Sequence, residues 1–175
     1  LAILLPIRVQ AASSEALLRT MDSTAGSPAM IMATGEPHEV VTLAITDPSR
    51  STITQRFQLN RAGVLQYWHD QTKIAGEYRV QYADLEDSFL VDSAPASAKG
   101  SKLELSDYTA FSGESIEGTV QVRDRFGNPL QGETLVLSGT AGLHLECSRQ
   151  CQTNSRGLVS FRATSSKSGL KHIEA

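Results

Sequence analysis

The sequence predicts an all-β fold of two antiparallel β-sandwich domains in tandem. Many short segments alternate apolar and polar side chains, the period of a half-buried strand, and turn-forming residues separate most of them. The best helical candidate, 14–19, is too short to carry a fold. The alternating segments are 41–45, 65–69, 78–82, 102–105, 119–123, 134–137, 158–161 and 171–174.

The two halves of the chain share an order of motifs, which indicates one fold used twice. Segments 58–63 and 152–157 both read Gln-x-Asn-x-x-Gly, and an apolar strand follows each. Asn can hydrogen-bond its own backbone in a turn, and Gly supplies the positive φ that a hairpin needs. The middle of the first half is shorter than that of the second. We therefore expect a missing hairpin or a shortened sheet edge there, and an exposed edge can bind a partner strand.

A stretch of small, polar and turn-forming residues divides the chain. It predicts a linker at 93–100, a first domain at 12–92 and a second domain at 101–175. We expect the parent protein to continue the second domain beyond its last strand here. Two sandwiches of roughly 70–100 residues each fit within 175 residues.

The start of the chain resembles the end of a signal peptide. Segment 1–7 is apolar, Pro6 would end a helix, and small residues precede a cut after Ala11. The alternative is an apolar first strand or a segment foreign to the natural protein. A signal-peptide remnant at 1–11 predicts an exported protein, extracellular, on the cell surface or periplasmic, that meets a membrane only through its parent chain.

Two cysteines lie close together, at Cys147 and Cys151. Without a neighbouring His or further Cys they form a poor zinc site. In an exported chain we expect a local disulfide, whereas a cytosolic protein would keep two free thiols.

The sequence offers no recognisable catalytic chemistry. It has no Gly-rich phosphate loop and no Gly-x-Ser-x-Gly motif, and the four histidines are isolated from one another. We therefore predict no catalytic, cofactor-binding or metal-binding residue and no cofactor. In the trio 68–70 we expect Tyr67 or Trp68 in the core and His69 on the other face, because strand neighbours point to opposite faces. The histidines are His38, His69, His144 and His172.

Two groups of polar residues can be interpreted either as structural or as binding residues. Asp124 and Asn128 bracket a tight turn, where such residues usually stabilise the turn and sometimes bind calcium. The acidic residues Asp84, Glu86 and Asp87 are most simply a solvated edge, with partner or metal binding as the alternative. The formal net charge is −3 and no basic run is present, which argues against a nucleic-acid partner.

The second half resembles the bacterial immunoglobulin-like repeats of the invasin and intimin type, over about residues 100–175. The resemblance rests on the strand and Asp-x-x-Gly-Asn-Pro turn in 120–132, the Gly turn at 153–157 and the Gly-led last strand at 168–175. The first half matches this repeat pattern only at its end, and residues of about 25–92 resemble equally the macroglobulin-type sandwiches of large secreted bacterial proteins. The cysteine pair is not part of the repeat pattern.

The resemblance implies two immunoglobulin-like domains in a rod that presents a binding tip or belongs to an envelope assembly. We therefore expect a non-enzymatic structural or binding module with a protein partner or surface ligand and no small-molecule substrate. The alternatives are a fragment of a macroglobulin-like protease trap, although the thioester motif Cys-Gly-Glu-Gln is absent, and an accessory binding region of an exported hydrolase.

Overall fold

The computed structural model describes residues 16–175, so the predicted signal-peptide remnant at 1–11 lies outside the described residues. The described chain is all-β, which confirms the predicted fold class. Within it, no helix is long and apolar enough to cross a membrane. Contacts divide the chain into two compact units. The second holds Asp92–Ala175 together with the short segments Thr24–Gly26 and Lys73–Ala75, and the first holds the rest.

The first unit packs a three-stranded sheet against a five-stranded sheet, and every strand pair with a known register is antiparallel. The strand orders are β1-β3-β6 and β2-β8-β7-β4-β5. The strands are β1 (Leu17–Thr20), β2 (Ser23–Thr24), β3 (Ala29–Thr34), β4 (Val40–Thr46), β5 (Thr52–Gln58), β6 (Val64–His69), β7 (Gly76–Tyr82) and β8 (Leu85–Asp92). The helical candidate at 14–19 is wrong where it is described, because residues 17–19 belong to β1.

The core of the first unit follows from strand alternation. Every second residue of β3, β4 and β7 is buried, including Ile31, Leu43 and Val80, which are fully enclosed. Each such side chain contributes about 1.5–3 kcal/mol by leaving water. Aromatic rings complete the core, and Tyr78 stacks on Phe89 with 5.0 Å between ring centroids.

The second unit has one four-stranded sheet, β12-β13-β10-β9, and one two-stranded sheet, β11-β14. Its strands are β9 (Lys102–Leu105), β10 (Ser115–Gln121), β11 (Ser138–Gly139), β12 (Leu143–Cys147), β13 (Leu158–Ser165) and β14 (Ile173–Glu174). Its buried hydrophobic cluster is small: Val120, Val122, Leu130, Phe161 and Ala163. Leu103, Leu105, Leu143 and Leu145 pack against that cluster and are only partly buried. The inner face of the four-stranded sheet is therefore incompletely covered.

The repeated Asn and Gly motif forms the same turn in both units. Asn60 Oδ1 accepts hydrogen bonds from the amides of Ala62 and Val64 at 2.8 and 3.0 Å. Asn154 Oδ1 accepts the equivalent pair, from Arg156 and Leu158, at 2.8 and 3.1 Å. The glycine that follows each Asn, at 63 and 157, has φ of 71°. The similarity read from the sequence therefore corresponds to one local structure that occurs twice.

Candidate binding surfaces

An apolar surface covers the outer face of the three-stranded sheet in the first unit. Trp68 on β6 lies directly opposite Met30 on β3, and the side chain of Trp68 is 57% exposed. Met21, whose amide donates to the carbonyl of Met30, is 56% exposed. Met32, two residues along β3, is half-buried on the same face. We call this set, Met21, Met30, Met32 and Trp68, the Trp68 face.

Polar groups on the Trp68 face are few. Gln66 Nε2 donates to Met30 Sδ at 3.1 Å, and Arg19 is paired with Met32 in the strand register. Because β6 pairs only with β3 among the described strands, Trp68 also lies on a sheet edge. Exposed apolar patches of this kind mark interaction sites, and methionine adapts readily to different partners.

Sequence reasoning missed the Trp68 face. The signal was in β3, whose residues Ala29–Thr34 read Ala-Met-Ile-Met-Ala-Thr and are apolar at both the inward and outward positions. A run of this kind predicts a strand with two apolar faces. Alternation in 65–69 predicts a strand, but it does not identify which side of that strand faces solvent.

The expectation that His69 lies on the face opposite the core is wrong, and Tyr67 cannot lie inside with His69 outside because residues two apart on a strand share a face. His69 is 1% exposed and shares the inner face with Tyr67, its neighbour two residues earlier, while Trp68 points outward. The imidazole packs edge-on against Tyr78 and Phe89 at 6.0 and 6.4 Å between centroids. Its Nδ1 has no hydrogen-bond partner in the described part of the chain. His69 is therefore a core residue of the first unit, and its neighbour Asp70 lies outside that core.

The buried His69 predicts acid sensitivity of the first unit. Burial lowers the pKa of His69, although Asp70 and the Gln71 backbone oppose that change. Between the lowered pKa of the folded state and the ordinary pKa of histidine, His69 therefore binds a proton in the unfolded chain but not in the folded unit. Stability should be constant above about pH 6.5 and fall by up to ~1.4 kcal/mol per pH unit below it, until the lowered folded pKa is reached.

Urea unfolding followed by the fluorescence of Trp68, the only tryptophan, measures this dependence between pH 8 and 5. His69→Leu should flatten the slope in that range, and His38→Gln, at an exposed histidine of the same unit, should leave it unchanged. An equal slope in wild type and His69→Leu would refute the assignment.

Asp124 and Asn128 form a buried polar cluster in the second unit. Asp124 is 0% exposed, and its two carboxylate oxygens accept four hydrogen bonds. Oδ1 accepts from the amides of Phe126 and Asn128 at 2.8 and 2.9 Å. Oδ2 accepts from the amide of Ala94 at 3.0 Å and from Asn128 Nδ2 at 2.7 Å.

Electrostatics of this cluster favour the ionised carboxylate. Burial raises the pKa of Asp124, but hydrogen bonds from Asn128, Ala94 and Phe126 together outweigh it and hold the pKa below its ordinary value. Asn128 in turn donates to the carbonyl of Lys73 at 2.8 Å and accepts from the amide of Ala75 at 2.9 Å, both within the second unit. Asp124 and Asn128 therefore stabilise the turn, because their side-chain oxygens already accept hydrogen bonds from the protein.

The predicted disulfide between Cys147 and Cys151 is present. It closes a short turn after β12, in which Arg149, Gln150 and Cys151 all have positive φ, the left-handed region. The amide of Leu135 donates to the carbonyl of Cys151 at 2.9 Å. The disulfide thus anchors a tight loop beside the 134–137 segment.

The other predicted polar groups lie on the surface. His144 and His172 each pair with a glutamate two residues later, Glu146 and Glu174, at 3.0 Å. His38 is exposed, with φ of 62°. In the described residues no group of three His, Cys, Asp or Glu side chains is arranged to hold a metal ion.

The acidic residues after β7 are not brought together at one point. Asp84 lies in the turn between β7 and β8, Glu86 is exposed, and Asp87 Oδ2 accepts from Thr20 Oγ1 at 3.0 Å. Asp87 therefore joins β1 to β8 within the first unit.

Comparison with known proteins supports the fold. No family model matches the chain, and no curated protein matches it. The structure of FdeC, an adhesin of Escherichia coli, superposes with a TM-score of 0.61 and 16% identity, over 93% of this chain and 60% of the FdeC chain. The immunoglobulin-like fold that the sequence resemblance implied is thereby confirmed.

Two further structures are similar at lower scores. Invasin, a bacterial integrin-binding protein, gives a TM-score of 0.48 at 16% identity over 91% of this chain and 35% of its own. Trypsin-activated α2-macroglobulin from Escherichia coli gives 0.35 at 14% identity over 89% and 13%. This chain spans less than two thirds of each of these three proteins. At identities of 14–16%, the similarity shows the fold alone.

Proposed function

We propose that this chain is a non-enzymatic structural and binding section of an exported bacterial surface or envelope-associated protein, serving as part of a rod, an adhesin or an assembly. The observation that carries the proposal is the Trp68 face, on which the exposed side chains of Trp68 and Met21 adjoin the half-buried Met30 and Met32 on the outer side of the three-stranded sheet. The immunoglobulin-like fold shared with FdeC and the disulfide at Cys147–Cys151 support an exported setting.

The chemistry of the Trp68 face favours a protein partner. Tryptophan is the side chain most enriched among residues that dominate binding energy, and methionine is enriched at interfaces. Arg19 adds one positive charge to this face, so the complementary surface is apolar with a carboxylate at its rim. The unpaired edge of β6 offers backbone groups beside Trp68 for a partner strand.

Replacing Trp68 with alanine should weaken binding without unfolding the unit, because the side chain is exposed. Beads carrying residues 12–175 would be tested for attachment to cultured epithelial cells and to wells coated with extracellular matrix proteins. A central tryptophan is worth about 2 kcal/mol or more, so the half-maximal bead density should rise by roughly 30-fold in Trp68→Ala.

Val40→Ala is the matched control, since Val40 is 54% exposed in the same unit but lies on the other sheet. Its attachment should equal that of the wild type. Equal attachment of wild type and Trp68→Ala would remove the Trp68 face from the proposal, and a wild type that attaches to no surface tested would count against adhesion.

Export needs its own measurement. In the native bacterium, an antibody to residues 12–175 should label intact cells or an osmotically released fraction, and peptide sequencing should find a mature start at Ala12. The protease-trap and hydrolase alternatives place their reactive groups elsewhere in the parent protein, so the parent sequence distinguishes them from the rod.

A further inference from the structure

All the methionines of this chain lie on the Trp68 face. The sequence has three, Met21, Met30 and Met32, and the one tryptophan, Trp68, lies among them. Met21 is exposed and the other two are half-buried, so none of the three belongs to the core of the first unit. Methionine commonly fills irregular gaps in a core. That use does not account for these three side chains, whose sulfur atoms are the only thioethers of the chain.

The strand register brings the three thioethers together. Met21 continues the pairing of β1 with β3 and lies opposite Met30, to whose carbonyl its amide donates at 3.0 Å. Met32 follows Met30 by two residues and lies on the same face. Directly opposite residues have Cβ atoms about 4.5–5.5 Å apart, and diagonal neighbours lie about 7–8 Å apart. Since a methionine side chain has three rotatable bonds, all three sulfurs can reach one point above β3.

Trp68 borders that point from the other neighbouring strand. It lies directly opposite Met30 on β6, so Met21, Met30 and Trp68 form one row across the three-stranded sheet. The face of an indole ring carries negative charge and attracts a cation that lies within about 6 Å of the ring centre. A cation held by the sulfurs would therefore have an aromatic ring beside it that favours positive charge.

The polar groups of this face leave the sulfurs accessible. Gln66 Nε2 donates to Met30 Sδ at 3.1 Å, so this sulfur already presents its lone pairs to a polar group on the outer side of the sheet. Gln66 is exposed and can turn away from Met30. Arg19, opposite Met32, is also exposed, so water and salt screen its charge, and it offers no electron pair. No carboxylate lies among the outward residues described for β1, β3 and β6, which makes this a poor site for Mg²⁺ or Ca²⁺.

We propose that the Trp68 face binds copper(I) through the sulfurs of Met21, Met30 and Met32, with the ring of Trp68 alongside the ion. Thioethers are soft ligands and select Cu(I), whereas imidazole suits zinc and carboxylates suit Mg²⁺, Ca²⁺ and Mn²⁺. Thioethers were outside the sequence prediction of no metal-binding residue, which rested on His, Cys and oxygen ligands. The inference concerns the same face as the proposed function but does not rest on it, because an ion needs no protein partner.

The test titrates the whole chain with Ag(I), a redox-inert substitute for Cu(I), in buffer without chloride, and with Cu(I) under nitrogen against the chelator bathocuproine disulfonate. One ion per chain should bind and quench the fluorescence of Trp68, the only tryptophan. Zn²⁺ at the same concentration should leave the emission unchanged. Met30→Leu nearly conserves volume and should keep the fold. It should weaken binding at least about tenfold, since changes outside the ligand shell of a metal site already cost roughly 10–100-fold.

The matched control moves one thioether to another surface. Val40 is 54% exposed and lies on the five-stranded sheet. Adding Val40→Met to Met30→Leu keeps three thioethers in the chain but places one outside the Trp68 face. This double variant should bind Ag(I) and Cu(I) as weakly as Met30→Leu alone. Recovery of wild-type affinity would show that exposed methionines bind the ion wherever they lie, and would overturn the proposal.

Two further results would also overturn it. One is a wild type whose Trp68 emission does not change with either ion and that takes no Cu(I) from the chelator. The other is equal affinity in wild type and Met30→Leu, which would place the ion on other groups such as the exposed histidines. Attachment in the presence of the chelator tests the proposed function separately, so failure of either proposal leaves the other standing.

Discussion

Replacing Asp124 with alanine is expected to destabilise the second unit by about 4 kcal/mol while leaving the first unit intact. The substitution removes the acceptors of four hydrogen bonds and leaves the buried amides of Ala94 and Asn128, and the partly buried amide of Phe126, without partners. Each buried donor that loses its acceptor costs about 1–3 kcal/mol, and the losses are only partly additive because the turn can relax.

The two units can be followed separately in one sample. Trp68 fluorescence reports the first unit, since the chain has one tryptophan. Amide exchange of peptides from β13 reports the second. Asp107→Ala is the matched control, because Asp107 also accepts the amides of Tyr108 and Thr109 but is exposed. Exchange in β13 that is as slow in Asp124→Ala as in the control would contradict the prediction.

Low pH should reduce the stability that Asp124 and its hydrogen bonds give to the second unit of the wild-type protein. The pKa of Asp124 is lowered in the folded unit, so its stabilisation is complete above the ordinary value of 3.8 and is lost as pH falls through the folded pKa. Asp124→Asn should lose this acid dependence of β13 exchange. Because His69 acts at higher pH and in the other unit, the two effects are separable.

Turn chemistry and strand alternation made much of the fold predictable. The segments 41–45, 78–82 and 158–161 lie in β4, β7 and β13, and the paired Asn turns have matching geometry. These features depend on interactions between residues close in sequence. The segment 134–137 alternates in the same way, yet it forms an isolated bridge at Thr134 and leaves Val136 83% exposed.

The candidate surfaces were less predictable because they depend on which face meets the opposing sheet. Alternation places Tyr67 and His69 on one face and Trp68 on the other, but the sequence does not say which face is inside. An isolated histidine is usually assigned to solvent, and here the aromatic rings of Tyr78 and Phe89, contributed by β7 and β8, enclose it. The exposure of Trp68, and with it the Trp68 face, follows from the side of β6 that packs against the opposing sheet.

Replacing Gly157 with alanine is expected to destabilise the second unit by about 3–5 kcal/mol. Gly157 has φ of 71°, where a side chain is strained, and a Cβ there would lie 2.4 Å from the carbonyl oxygen of Val122. The amide of Val122 donates to the carbonyl of Gly157 at 2.7 Å, so the two segments cannot separate without losing that bond. Backbone strain at positive φ and the steric overlap of the added Cβ with Val122 therefore both destabilise the Gly157→Ala variant.

Gly127→Ala isolates the strain, because Gly127 has φ of 92° and a Cβ there would meet no heavy atom within 4 Å beyond its chain neighbours. It should cost only about 1 kcal/mol. The equivalent turn of the first unit supplies an independent check. Gly63 has the same φ as Gly157, and a Cβ there would lie 2.2 Å from the carbonyl oxygen of Gly35.

Gly63→Ala should therefore lower the urea midpoint seen by Trp68 fluorescence, whereas Gly157→Ala should speed exchange in β13 and leave that midpoint unchanged. Equal costs for Gly157→Ala and Gly127→Ala would show that backbone conformation alone requires glycine at these turns. A larger cost at both Gly63 and Gly157 would show that close backbone approach is what the repeated Asn and Gly motif provides. In that case the motif fixes strand spacing in both units, and a turn of another sequence with the same φ could not replace it.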